Sequence, residues 1–257
     1  MHAAEFRTDT VPKPSIPRIL HQTWKCESVP PQFLPFVEGW KVKHPSWEYR
    51  LWTDADNLEL ITTKYPHLLE MYNAFDNGVK RADVARYCIL QTYGGVYVDL
   101  DFECIKPLDD LLKNREFVIG TEPTFHAKHI RNYPYWLCNA FIASVPGHRV
   151  FDYILEYIAI RVKDHDHTLN AVCVTGPDVI QNVFLQRNML RGYDICVCKP
   201  HVLYPLIDTH NKGMFTSEEE REHYESIQRN LIRSKTYHTE TFAVHHWAGT
   251  WWGKDQA

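Results

Sequence analysis

The segment 80–108 places a helical pattern, a Gly-Gly pair and a short apolar strand in direct succession. In its first part Ala82, Ala85 and Ile89 recur at the spacing of one helix face, and the glycine pair is suited to end a helix. The strand after the glycines alternates apolar and polar residues. A helix that turns directly into such a strand has to pack on a sheet, so the segment predicts an α/β fold.

Strands and helices also alternate in the rest of the chain, which favours an α/β class with a largely parallel central sheet. We expect residues 1–15 to be a flexible leader, 16–252 to be one domain and 253–257 to be a tail. The segment 16–24 is predicted to be a short strand running into a loop, and 172–186 a turn that leads into a helix. The other predicted strands are 49–52, 96–103, 117–122, 136–145, 194–200 and 201–206, and the other predicted helices are 56–64, 66–75, 80–95, 148–162 and 217–234.

The composition excludes several classes of protein. A net charge of −4 and a hydrophobic content of 44% favour a globular domain and give no sign of a nucleic-acid partner. The seven cysteines include no C-x-x-C pair, which is typical of reduced core thiols. No signal peptide, N-x-S/T sequon or membrane-spanning run occurs. We therefore expect a cytoplasmic protein, or a soluble catalytic domain trimmed of its membrane anchor.

Two carboxylates occur where a core strand should be apolar. Alternation along one strand would place Asp99 and Asp101 on the same face, about 6.6 Å apart. Such a pair, together with substrate oxygens, is suited to hold Mg²⁺ or Mn²⁺ beside a phosphate. Ligands of open α/β sheets bind at the carboxyl ends of strands, and both aspartates lie near such an end. Ordinary charges on a solvent-facing strand are the alternative.

The helix before this strand carries charges of its own. Asp83 and Arg86 are three positions apart and lie on one side of it. They form a structural ion pair, or they reach into the same pocket as the two aspartates. In a pocket, an aspartate accepts from sugar hydroxyls and an arginine donates to oxygens.

With these residues in place, the chain resembles a known family. The pattern R-A-D-x-x-R-Y-x-x-L-x-x-Y-G-G-V-Y-x-D-x-D, from Arg81 to Asp101, resembles the sugar-binding region of DXD-containing glycosyltransferase family 32. That family includes fungal mannosyltransferases and bacterial capsule enzymes, with α1,4-galactosyltransferases and glucosylating clostridial toxins as more distant relatives. The resemblance continues in ILHQTWK at 19–25, LCNA at 137–140, TGP at 175–177 and HHWAGTW at 245–251.

The resemblance implies a GT-A fold in one Rossmann-like domain. It implies transfer of a hexose, with retention, from a UDP- or GDP-linked donor to a hydroxyl of a glycan, lipid or glycoprotein. Asp99, Asp101 and Arg86 would be the catalytic residues. The further contacts that it implies are Mn²⁺ or Mg²⁺ binding by Asp101, Asp99 and His245, nucleotide binding by Trp24, Thr23 and Asp99, donor-sugar binding by Asp83, Arg86 and Asn139, and closure over the diphosphate by His246, Trp247 and Trp251.

His245 is preferred to His246 as the metal ligand, because the family's His-x-Trp spacing falls on His245 and Trp247. Two rival functions are a degenerate module that binds a nucleotide sugar or carbohydrate without transfer, and a DxD phosphatase. The phosphatase is disfavoured because its motif normally follows the first strand of the chain. His165-Asp166-His167 and Cys196-Val197-Cys198 are alternative metal sites, but each lacks a nearby further ligand.

Overall fold

The computed structural model describes residues 14–164, 170–186 and 190–249. Most of the predicted leader, the tail at 253–257, Trp251 and the segment 165–167 lie outside these ranges. The strands are β1 (Ile19–Thr23), β2 (Glu48–Trp52), β3 (Gly95–Val98), β4 (Phe102–Cys104), β5 (Phe117–Thr121), β6 (Leu137–Ser144), β7 (Ile195–Cys198) and β8 (Ala243–His245). The helices are α1 (Leu34–Lys43), α2 (Asp54–Lys64), α3 (Leu69–Ala74), α4 (Gly78–Tyr93), α5 (Asp109–Leu112), α6 (Thr124–Arg131), α7 (Val150–Asp164), α8 (Ala171–Val174), α9 (Pro177–Leu185), α10 (Pro200–Leu203) and α11 (Glu218–Ser234).

Six of the strands form one sheet in the order β2-β1-β3-β6-β5-β7. β1 runs parallel to β2 and β3, and β5 runs parallel to β7. β6 is antiparallel to both of its neighbours. The prediction of an α/β fold with a mostly parallel sheet is confirmed. Because β6 runs antiparallel to β3 and β5, it begins at the edge of the sheet where β1, β3 and β5 end.

Apolar side chains fill both faces of this sheet. On one face the sheet packs against α2, α4, α7 and α9. On the other face it packs against α1, α10 and the strand β8. Among the described residues, no helix has both the length and the apolar character that crossing a bilayer would require.

Helix α4 carries the predicted charged pair into the interior. The Oδ1 atom of Asn77 caps it by accepting the Lys80 N–H at 3.0 Å. Residues 83–90 are all buried, because α2 and α7 enclose the helix on the sheet. At its end Gly94 and Gly95 have φ angles of 63° and 93°, and a Cβ on Gly94 would lie 2.6 Å from a backbone nitrogen. Only glycine therefore permits this return into β3.

The predicted strand 96–103 is wrong in its second half. β3 ends at Val98, and in the turn that follows the Phe102 N–H donates to the Asp99 carbonyl at 3.2 Å. β4 then belongs to a separate two-stranded sheet with β8. The turn inserts Leu100 into a small apolar cluster beside α1, which explains why the six-stranded sheet is left at this point.

Other predictions of secondary structure also need correction. The predicted strand 201–206 is wrong, because α10 begins at Pro200, where the missing N–H of proline has no helical partner to lose. The sequence did not predict α1, whose apolar residues are spread around the helix. It did not predict α6 either, although α6 follows β5 directly and covers the edge where that strand ends.

Candidate active site

A cavity of about 520 Å³ opens at the sheet edge where β1 and β3 end and β6 begins. Helix α4 and the chain after β8 complete its wall. The residues singled out from the sequence that line it are Thr23, Trp24, Asp83, Arg86, Asp99, Asp101, Asn139, His245 and Trp247. The structure therefore gathers into one cavity every described residue of that set except His246.

The carboxylate pair meets a histidine in this cavity. Asp99, Asp101 and His245 each place a possible metal-ligand atom within 4.8 Å of the others. The Oδ1 atom of Asp101 lies 3.1 Å from Nε2 of His245, and its Oδ2 atom accepts the Ala248 N–H at 2.9 Å. The register of the small sheet explains this proximity, since Phe102 of β4 pairs with His245 of β8. Two carboxylates and an imidazole form a donor set that suits a divalent cation.

Burial disfavours the charged form of each carboxylate in the cluster. It raises the pKa of Asp99 above its ordinary value, Arg86 opposes that rise, and Asp101 adds to it. Burial acts in the same direction on the half-buried Asp101, but the His245 imidazole and the Ala248 N–H together outweigh it and lower the pKa of Asp101. The same attraction raises the pKa of His245 although burial alone would lower it. A divalent cation among these groups would favour the ionised form of Asp99.

Arg86 links the helix to the carboxylate pair. One terminal nitrogen lies 3.1 Å from Oδ1 of Asp83 and 3.3 Å from Oδ1 of Asp99. The other donates to the Asn139 carbonyl at 2.7 Å, and the guanidinium lies 4.5 Å from the ring centre of Tyr97. Both sequence alternatives are therefore present, because the ion pair with Asp83 forms and both partners also line the cavity.

Asp83 is held by two further donors. Its Oδ1 atom accepts the Asn139 side-chain amide at 2.8 Å, and its Oδ2 atom accepts the Thr175 hydroxyl at 2.8 Å. The Tyr87 hydroxyl accepts from the same amide at 3.0 Å and donates to the Thr175 carbonyl at 2.7 Å. Burial raises the pKa of Asp83, and Arg86 acts against that rise. These bonds fix the orientation of Asp83 and Asn139 towards the cavity.

Three supporting residues were absent from the predicted set. The Tyr97 hydroxyl donates to Oδ1 of Asp99 at 3.0 Å and lies 2.8 Å from the Thr23 hydroxyl. Alternation already placed Tyr97 on the face of Asp99, so that signal was available. Tyr87 and Thr175 lie within the R-A-D-x-x-R-Y and TGP patterns of the resemblance, but the sequence assigned a role to neither.

Trp24 follows β1 at the far side of the cavity from β5. Its ring packs edge-on against Phe33 with centroids 6.2 Å apart. The Lys25 ammonium lies 5.9 Å from the centre of the same ring. An aromatic ring held in this way at a cavity wall is suited to stack on a planar ligand.

The segment after β8 does not fit its predicted role in full. The ring of His246 stacks on Phe36 at 4.7 Å, and its Nε2 atom lies 3.1 Å from Glu103. His246 therefore faces away from the cavity, as expected for the strand neighbour of His245. Trp247 lines the cavity, but its indole N–H donates to the Leu206 carbonyl at 2.8 Å and is not available to a phosphate in this structure.

Comparisons with known proteins bear on the family and the fold. Residues 30–118 match the family described as the glycosyltransferase sugar-binding region containing the DXD motif. Inositol phosphoceramide mannosyltransferase 3 of Schizosaccharomyces pombe is 35% identical over 150 residues, which are 57% of this chain and 41% of that protein. Mannosyl phosphorylinositol ceramide synthase CSH1 of Saccharomyces cerevisiae is 36% identical over 176 residues, 68% of this chain and 44% of that protein. The chain thus spans about two fifths of the length of these relatives.

The solved structure of the PaToxG glycosyltransferase is similar in fold. It superposes with a TM-score of 0.51 at 14% identity and covers 69% of this chain and 72% of that chain. At this identity the similarity concerns the fold alone. Taken with the DXD match and the fungal relatives, it leads to one conclusion: residues 30–118 carry the sugar-binding region of DXD-containing glycosyltransferases, the chain is similar to fungal mannosyltransferases, and its fold is GT-A.

Proposed function

We propose that this protein is a metal-dependent, retaining hexosyltransferase that uses a nucleotide sugar. The observation that carries the proposal is the cluster of Asp99, Asp101 and His245 at the carboxyl edge of the sheet. Several relatives are named as mannosyltransferases, so mannose is the first sugar to test. The donor base is open between guanosine and uridine, since an aromatic ring stacks on either.

The residues present fit a divalent metal. Asp101 and His245 would bind it directly, and Asp99 would be the third protein group that contributes to binding it. The fit rests on two half-buried carboxylates whose mutual repulsion a cation relieves. When bound, Mn²⁺ or Mg²⁺ would offset the negative charge of the leaving diphosphate.

The chain's own residues orient the donor. Asp83 and Asn139 offer a carboxylate and an amide to sugar hydroxyls, and their mutual hydrogen bond keeps both in place. Arg86 balances the charge of Asp83 and Asp99. These two carboxylates therefore repel a diphosphate less than they would without the guanidinium. No general base is assigned, because retention by same-face substitution lets a departing phosphate oxygen take the acceptor proton.

The acceptor is proposed to be a hydroxyl of a glycan, lipid or glycoprotein. Two fungal relatives are named inositol phosphoceramide mannosyltransferases, so a lipid-linked inositol is the first acceptor to test. The cavity has room beyond the metal cluster, since it continues along the sheet edge to Glu122 and Trp136.

A thermal-shift screen tests the proposal. Nucleoside diphosphates and nucleotide sugars are added with and without Mn²⁺, and binding appears as added stability. We expect a Mn²⁺-dependent shift with one nucleotide base, followed by Mn²⁺-dependent release of hexose from the matching donor. Absence of a shift with every nucleotide would overturn the proposed function. A shift without any release or transfer of sugar would favour the degenerate binding module.

A further inference from the structure

The cavity has two ends that lie along the sheet edge. Trp24 follows β1, and Glu122 follows β5, three strands away in the sheet order. At about 4.8 Å between neighbouring strands, these ends are separated by roughly 14 Å. The metal cluster after β3 lies between them. We call the end next to β5 and β6 the Trp136 end; it is formed by Glu122, Arg131, Trp136, Asp178 and Asp208, of which all but Asp178 line the cavity itself.

Trp136 has a buried hydrogen-bond donor without a partner. Its side chain is on the cavity wall, the residue is only 8% exposed, and its Nε1 atom has no hydrogen-bond partner among the described residues. A buried indole N–H normally finds an acceptor, because leaving it unpaired costs about 1–3 kcal/mol. Tyr133 packs edge-on against the ring at 5.5 Å. Because the Nε1 atom is itself buried, a ligand in the cavity reaches this unpaired donor through a small shift of the indole ring.

The cation beside this ring is already neutralised. The Arg131 guanidinium lies 5.1 Å from the ring centre of Trp136. It also lies 2.9 Å from Oδ1 of Asp178, whose carboxylate is mostly buried. An anionic ligand would therefore have to compete with Asp178 for Arg131, the one guanidinium among the five residues that define the Trp136 end.

The remaining charged groups of this end are acceptors. The Nε2 atom of His126 accepts the Asp208 N–H at 2.7 Å, so its Nδ1–H must donate to Glu122 at 3.1 Å. Asp208 in turn accepts the His210 N–H at 2.8 Å. Each carboxylate has further lone pairs for a hydroxyl donor. Negative charge exceeds positive charge here, which favours hydroxyl groups over a phosphate.

We propose that the Trp136 end is the acceptor subsite and that it takes the neutral ring of a cyclic polyol, such as an inositol or a hexose. The Trp136 indole N–H donates to one ring hydroxyl, and the carboxylates of Glu122 and Asp208 accept from others. The assignment to the acceptor rests on the proposed function, since the donor occupies the part of the cavity around the metal cluster. The chemistry of the ligand rests on the donor and acceptor groups alone.

The indole ¹⁵N–¹H resonance of Trp136 provides a direct test. It is assigned by its loss in Trp136→Phe, and myo-inositol is titrated into the wild-type protein with and without Mn²⁺ and GDP. We expect this resonance to shift in at least one of the two conditions. The indole of Trp40, which donates to the Phe102 carbonyl at 2.9 Å in the core, should not move. A Trp136 resonance that stays in place in both conditions overturns the subsite.

A second measurement uses matched tryptophan variants. Losing one hydrogen bond of about 1 kcal/mol corresponds to about a fivefold weaker affinity. Followed on backbone amides of the cavity, the myo-inositol Kd should rise about fivefold in Trp136→Phe. It should be unchanged in Trp47→Phe, because Trp47 packs in the core cluster on the α1 side of the sheet and does not line the cavity. An unchanged Kd in Trp136→Phe contradicts the proposed hydrogen bond.

Two outcomes separate this inference from the proposed function. If inorganic phosphate shifts the Trp136 resonance and myo-inositol does not, the end binds an anion and the polyol proposal fails. That result does not affect the proposed function, which the nucleotide screen tests separately. If myo-inositol binds but no nucleotide does, the polyol subsite stands and the transferase proposal fails.

Discussion

The Nε2 atom of His245 lies 3.1 Å from Oδ1 of Asp101, although 144 positions separate the two residues. The pairing of β4 with β8 creates this contact, because it fixes His245 opposite Phe102. The turn after β3 that carries Asp99 and Asp101 is therefore only part of the site. Strand β8 has to pair with β4 before Asp99, Asp101 and His245 come together.

Removing the Asp101 carboxylate should remove metal-dependent activity. Asp101→Asn keeps the size of the side chain but loses the charge that holds a cation. We expect sugar release to fall by about 10²–10³, in line with loss of one strong electrostatic interaction with the transition state. Asp110→Asn, at an exposed position of α5, is the control. Near-normal turnover by a folded Asp101→Asn variant would refute the metal assignment.

The adjacent histidines should separate in their effect on the metal. His245 faces the cluster, whereas His246 faces Glu103 and Phe36. His245→Gln should weaken Mn²⁺ binding by at least about 10–100-fold, since loss of an outer-shell partner alone typically costs that much, and His246→Gln should retain the wild-type affinity. Mn²⁺ titration by calorimetry measures both. The reverse pattern would show that the segment after β8 is turned over in solution.

The buried ion pair of α4 should show strong coupling. Arg86→Met leaves the Asp83 carboxylate buried without its cation, so we expect a loss of about 3 kcal/mol in the free energy of unfolding. Adding Asp83→Asn should recover part of this loss. Urea unfolding of the two single variants and the double variant measures the coupling.

An exposed pair provides the comparison for that cycle. Lys41 and Glu38 are 3.1 Å apart, but both side chains are largely exposed, so their coupling should not exceed about 0.5 kcal/mol. If the effects of Arg86→Met and Asp83→Asn simply add, the two side chains do not act as a pair.

His21 should make stability depend on pH. Its Nε2–H donates to the Gly94 carbonyl at 2.9 Å, and its Nδ1 accepts the Trp52 indole N–H at 3.1 Å, which requires a neutral ring. Burial lowers its pKa from 6.5 to about 4, although the Gly94 carbonyl acts in the opposite direction. The unfolded chain therefore binds a proton more readily, and about 3 kcal/mol of stability that is present above pH 6.5 is lost as the pH falls towards 4.

Unfolding in urea between pH 4 and 7 measures this dependence. His21→Gln can donate to Gly94 and accept from Trp52 without titrating, so its stability should vary less with pH than that of the wild-type protein. The buried His148, whose pKa burial also lowers to about 4, contributes equally to both proteins. Identical slopes for the two proteins would exclude the role of His21.

Sequence reasoning predicted the parts of the site that are local. The i,i+3 spacing of Asp83 and Arg86 and the position of Asp99 after an apolar strand both follow from short-range geometry. The pattern could not show that the strand ends at Val98, because burial of Leu100 beside α1 depends on a helix with no clear apolar face. Strand alternation predicted that the two aspartates share one face of a strand. In the structure they lie in the turn after β3, and the turn brings them together.

The parts that the sequence missed depend on contacts between distant segments. Thr175 reaches Asp83 across 92 positions, and neither residue type nor spacing indicates that contact. The reversed direction of β6 was not predicted either, although it brings Asn139 and Trp136 to the edge where β3 ends. His246 was assigned to the cavity by its position in a motif. It directly follows His245 at the end of β8, so its side chain points away from the cavity, towards Glu103 and Phe36.

The late position of β8 also has a consequence for biosynthesis. Every strand of the six-stranded sheet lies before residue 199, whereas the histidine of the metal cluster is residue 245. Chains begin to fold from their N-terminal part while they are still being made. A nascent chain can therefore complete its sheet, and with it the Trp24 end of the cavity, before its metal cluster exists. Pairing of β8 with β4, rather than folding of the six-stranded sheet, would then be the step that brings His245 to Asp101.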